Sequence, residues 1–126
     1  MKIVISGTCP SLKNAKVISV NNKTGKRFVR TEDRVKNWMD GAKLEVKSQW
    51  KRQPLDKLDN LTCVFYNSDK RVHDLSNQLD SVCDVIKGII ISDDSQFCMP
   101  SIQVQYGGAS KDPRTELWVD FDGDSL

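Results

Sequence analysis

Lys2-Ile3-Val4-Ile5-Ser6 is a short β-branched run and predicts a strand. Val17-Ile18-Ser19-Val20 and Arg27-Phe28-Val29-Arg30 predict two more, joined by the turn-forming Asn21-Asn22-Lys23-Thr24-Gly25 as a hairpin. The period then changes. Val35, Trp38, Met39, Ala42, Val46 and Trp50 recur at helical spacing, so a helix is expected over 32–52 with Thr31 as its cap and Pro54 as its stop. Leu61-Thr62-Cys63-Val64-Phe65-Tyr66 predicts a strand. A second helix is expected over 76–87, with Leu79, Val82, Cys83 and Ile86 as its buried stripe and Gly88 just past its end. Ile102–Tyr106 and Glu116–Phe121 alternate as two final strands. This order predicts an α+β fold, two helices packed on a mixed β-sheet, in one domain over 1–126.

Composition narrows the class. At 126 residues the chain can bury about two-thirds of its extended surface, enough for a core without staples. No apolar run approaches the roughly 18 residues of a membrane helix, and the first residues are too short and strand-like for a signal peptide. The expectation is a cytoplasmic protein with no membrane partner. Cys9, Cys63, Cys83 and Cys98 contain no Cys-x-x-Cys spacing, which argues against a thiolate zinc site. Cys63 and Cys83 are expected as small core residues.

Charge is unevenly distributed. Residues 1–57 carry 14 Lys and Arg against 5 Asp and Glu, whereas residues 58–126 carry 5 against 12. The first part is suited to a polyanion and the second to a cation. Much of the positive charge falls on the outer face of the first predicted helix, at Arg34, Lys36, Lys43, Lys47, Lys51 and Arg52.

The acidic part holds two clusters, His73 to Asp84 and Ser92-Asp93-Asp94-Ser95-Gln96. Ser76, Asp80 and Asp84 are spaced by four and share a helix face away from the apolar stripe. Helical side chains lean toward the N-terminus, so Asp80 leans back over Ser76 toward Asp74. If the Asp93-Asp94 turn folds against this helix, four or five carboxylates converge. Oxygen ligands of that kind select Mg²⁺ or Mn²⁺. A solvated acidic helix face beside an Asp-Asp turn explains the same spacing, and the spacing does not separate the two.

Asp74-Leu75-Ser76-Asn77, Asp84-Val85-Ile86 and Asp93-Asp94-Ser95-Gln96-Phe97, after the loop Pro10-Ser11-Leu12-Lys13-Asn14-Ala15-Lys16, are arranged in an order that resembles the RusA family of Holliday junction resolvases, often encoded by phages and prophages. The resemblance implies a homodimeric nuclease, dependent on Mg²⁺ or Mn²⁺, that resolves four-way or branched DNA in a bacterial or phage-infected cell. It makes Asp74, Asp80 and Asp94 the catalytic residues. These three, with Asp93, become the metal ligands. Lys13, Asn14, Lys16, Lys70, Arg71 and His73 become DNA contacts. The chain departs from the pattern at two places: Ser76 replaces a second Asp, and Asp80 replaces a Lys one turn later. The exchange reads as one carboxylate moved up the same face. A catalytically inactive nucleic-acid-binding module of the same fold, and a scaffold dimer with a merely solvated acidic face, are the alternatives.

Overall fold

All six strands and both helices expected from the hydrophobic pattern are present in the computed structural model, which describes residues 1–11 and 16–124 apart from the side chains of Lys16, Val17 and Thr31. The strands are β1 (Lys2–Ser6), β2 (Lys16–Val20), β3 (Arg27–Thr31), β4 (Asn60–Asn67), β5 (Ile102–Ala109) and β6 (Arg114–Asp120). The helices are α1 (Asp33–Gln49) and α2 (Leu75–Ile86). Four strands form one mixed sheet in the order β1-β6-β4-β5, and β2 and β3 form a separate antiparallel ribbon. β4 and β5 are parallel, and α2 is the crossover that a parallel pair requires. Among the described residues, no helix is long and apolar enough to cross a membrane.

α1 packs on β1 and on α2, and α2 also packs on β5. Ile3, Ile5, Leu61, Phe65, Val46 and Ile86 are fully buried between these layers. The two margins of the sheet are treated differently. On the outer side of β1, the Val4 N–H donates to Gln49 Oε1 (2.8 Å), and Gln49 Nε2 donates to the Val4 carbonyl (2.7 Å). The Ser6 N–H donates to Glu45 Oε2 at 3.1 Å. Side chains of α1 therefore take the place of a neighbouring strand. No hydrogen bond caps the outer margin of β5 among the described residues.

α1 is shorter than its apolar period predicts. It begins after Glu32, not at Thr31, and Glu32 makes no side-chain cap; Asp33 in the first turn pairs instead with Arg30 at 2.7 Å. It ends at Gln49 because Trp50 turns to extended backbone, which sets its ring edge-on to Phe121 with centroids 5.3 Å apart.

The buried stripe of α2 is also rotated from expectation. Leu79 and Cys83 are only half-buried, whereas Gln78, Ser81 and Val85 are fully buried beside Val82 and Ile86. Polar residues enter the core because carbonyls meet them there. Gln78 Nε2 donates to the Cys9 carbonyl (2.9 Å) and to Asn67 Oδ1 (3.1 Å), and Ser81 Oγ donates to the Pro10 carbonyl (2.7 Å). Cys63 is a core residue as expected, and burial pushes its thiol up to about 12.

Candidate active site

The start of α2 fixes the first carboxylate. Asp74 has extended backbone and is the N-cap of the helix. Its Oδ1 accepts from the Ser76 N–H (2.9 Å), the Asn77 N–H (3.4 Å) and the Ser76 hydroxyl (2.6 Å). The carboxylate is thus set by the first turn of its own helix and lies at the positive end of the helix dipole. Ser76, where the family pattern has an acid, is a neutral donor to Asp74. Asp80 and Asp84 are exposed on the same flank, as their spacing requires.

The second acidic element arrives through a turn. After α2, Gly88 takes φ +85°, a backbone conformation that glycine adopts without strain. The Ile89–Ile91 run then tucks under the core, with Ile90 and Ile91 fully buried. Leu55 and Ser92 lock it: the Leu55 N–H donates to the Ile90 carbonyl (2.7 Å) and the Ser92 N–H to the Leu55 carbonyl (2.9 Å). Asp93 and Asp94 follow at once, and Lys87 Nζ lies 3.3 Å from Asp93 and 3.9 Å from Asp94. The Asp93 carboxyl is lowered, first by a backbone hydrogen bond from Asp94 and then by Lys87.

The turn does come to the flank of α2. The Cys83 thiol is pushed up to about 11, first by burial and then by the charges of Asp94, Asp80 and Asp84. Cys83 is therefore a boundary residue beneath an acidic surface, where a core residue was expected. The carboxylates do not close into one cage, however. Among the described residues, no three His, Cys, Asp or Glu side chains stand close enough to share a metal ion. In kind, the carboxylate donors fit a hard divalent cation. In arrangement they fall short of it, with Asp74 turned to its cap and Asp93 and Asp94 held by Lys87.

The loop between β4 and α2 presents the positive charge. Asp69, not singled out from the sequence, organises it. Its Oδ1 meets His73 Nε2 at 3.1 Å and accepts from the Arg71 N–H at 3.0 Å, and its Oδ2 pairs with the Arg71 guanidinium at 3.0 Å. The His73 hydrogen bond first, then those of Arg71, hold the Asp69 carboxyl down at about 2. The alternation Asp69-x-Arg71-x-His73 is the signal in the sequence that marks it. Two concavities of about 240 and 260 Å³ adjoin this loop, one toward Thr8–Ser11 and one toward Asp74 and Asn77. Lys70 is exposed beside them. Lys13 and Asn14 lie outside the described residues, as does the Lys16 side chain.

The described residues thus hold a capped carboxylate and a cation-bearing loop at the start of α2, and an Asp-Asp turn beside Lys87 at its end. The chain belongs to the RusA endodeoxyribonuclease family: the family model for Endodeoxyribonuclease RusA matches residues 13–120 of its 126. The family comprises nucleases that act as Holliday junction resolvases and generally depend on a divalent metal. No curated protein matches the chain.

Proposed function

We propose that this protein, as a homodimer, cleaves four-way or branched DNA by divalent-metal-dependent phosphodiester hydrolysis. The observation that carries the reading is the orientation of Asp74, fixed by three hydrogen bonds at the head of α2 inside the family match. Asp74, Asp80 and Asp94, with Asp93, would hold Mg²⁺ or Mn²⁺ only once the Asp93–Asp94 turn leaves Lys87, since they do not converge as they stand; the ion would supply a polarised phosphate and an acidified water. Ser76 keeps Asp74 in one orientation. Lys70, Arg71 and His73, with Lys13, Asn14 and Lys16, contact the phosphates on either side of the break. Two copies address two strands of a near-two-fold junction.

The test is cleavage of a synthetic four-way junction in Mg²⁺ or Mn²⁺, with a linear duplex of the same sequence as control. Paired nicks in the junction support the reading. Tight junction binding without nicks, in either metal, replaces it with a binding module. Replacing Lys13, Lys16, Lys70 and Arg71 together should flatten the salt dependence by about 0.9 in slope for each phosphate no longer neutralised. An unchanged slope moves the DNA path to the Lys43–Arg52 face.

A further inference from the structure

A third cavity, of about 290 Å³, opens against the β4–α2 loop on the side of β5. It is lined by Asn67, Leu75 and Tyr106, with Lys70, Arg71 and His73 also contributing. Arg71 and His73 are shared with the cavity that reaches Asp74, so the two spaces are adjoining rooms around one loop. Val72, between those two residues, is wholly exposed.

The lining is unlike a phosphate site alone. Tyr106 on β5 is 53% exposed, a large ring that the core does not need. Asn67 is only 1% exposed. Its Oδ1 is taken by Gln78 Nε2 at 3.1 Å, which leaves the Nδ2 group as its remaining donor. An aromatic face, an aliphatic wall at Leu75, a fixed amide donor and two rim cations match one planar, hydrogen-bonding, phosphate-bearing ligand. The volume lies at the lower end of small-molecule cavities, about 300 Å³, which suits a single ring system.

We propose that this cavity receives one unpaired nucleobase from the strand being cut, stacked on Tyr106 with an acceptor edge toward Asn67, while Lys70 and Arg71 hold its phosphate. The inference rests on the nuclease reading of the Asp74 site and adds to it a specificity element. Enzymes that read an extruded base do so by this combination of stacking and edge hydrogen bonds. A branch point supplies unstacked bases that a linear duplex does not. The cavity therefore selects both for branched DNA and for the base beside the cut.

Four-way junctions carrying 2-aminopurine at each nucleotide flanking the branch point test this, with Ca²⁺ in place of Mg²⁺. Wild type and Tyr106→Phe, at saturation, should change the fluorescence at one flanking position at least threefold. Tyr106→Ala should remove most of that change. Mapping of cut sites in Mg²⁺ should show the base preference at that position falling about tenfold in Tyr106→Ala and persisting in Tyr106→Phe. The same fluorescence change in all three proteins overturns the cavity assignment, even if wild type cleaves normally. A Tyr106-dependent signal without cleavage upholds the cavity and removes the hydrolase reading. Absence of DNA binding removes both.

Discussion

Asp74 stands at the start of α2 and the Asp93–Asp94 pair beside Lys87 at its end, and the two are held in different ways. Asp74 is built into its helix: the first turn donates three hydrogen bonds to one oxygen, and the carboxylate is oriented as soon as the helix forms. Asp93 and Asp94 stand on an exposed turn, where Asp93 accepts from the Asp94 backbone and the flexible ammonium of Lys87 reaches both carboxylates. The first arrangement is rigid because two of its three donors are backbone N–H groups of the helix. The second is exchangeable because a side-chain cation at the surface contributes about 1 kcal/mol or less. In the proposed metal site, a divalent ion would displace Lys87 more readily than a helix start, so Asp74 would be the fixed ligand and the turn the adjustable one.

The largest effect should come from breaking the fixed member. Asp74→Asn should lower junction cleavage by more than about a hundredfold, since even groups one bond removed from a metal ligand are worth about ten- to a hundredfold. Asn caps a helix about as well as Asp, so the melting temperature should scarcely move. Asp74→Ala should add a loss of about 1 kcal/mol in stability. Near-normal cleavage by Asp74→Asn in Mg²⁺ would remove it from the site.

Next comes the exchange between positions 76 and 80. Asp80→Asn should damage cleavage as much as Asp74→Asn if Asp80 does the work of the missing acid. Ser76→Asp combined with Asp80→Lys, the commoner family arrangement, should then restore it. Full activity in Asp80→Asn excludes Asp80 and leaves Asp74 and the turn as the ligands.

A smaller effect should follow from releasing the adjustable pair. The Asp93 carboxyl is lowered first by the Asp94 backbone hydrogen bond and then by Lys87, so Lys87→Met should raise it part of the way toward its ordinary value. The concentration of Mn²⁺ for half-maximal cleavage should fall, by up to about fivefold for an exposed pair. If it rises instead, Lys87 acts on the substrate and not against the metal.

The smallest concerns Asp69, which is coupled to the loop and not to the acids. Its folded value is depressed from 3.8 to about 2, so the stabilisation it gives the loop is complete above the ordinary value and is lost as pH falls through about 2. A carboxyl NMR titration of Asp69 should show a midpoint near the lower figure, and Arg71→Gln should raise it. An ordinary midpoint in wild type would dissolve the Asp69–His73–Arg71 cluster.

The strands and the α1 stripe are legible in the sequence because their periods follow from apolar residues alone. The buried face of α2 is not, for the complementary reason. Gln78 and Ser81 look like surface residues until the Cys9 and Pro10 carbonyls, about 70 positions away, are brought against them. In the site, the Asp74–Gln96 block identifies the family, and Asp74 before a helix carries its own cap signal. The link from Lys87 to Asp93 and Asp94 is hidden because it depends on the fold-back at Gly88 and the burial of Ile90 and Ile91. Asp69 is hidden because it acts through neighbours and not as a member of an acidic cluster.

The unequal margins of the main sheet have a consequence in the language of polymer chemistry. A sheet with two open margins is a bifunctional monomer, able to add a neighbour on each side and grow without limit. Gln49 and Glu45 convert the β1 margin into a terminated end, leaving β5 as the reactive one. A monomer with one reactive end couples once and stops. Margin-to-margin association of the main sheet would therefore stop at a pair.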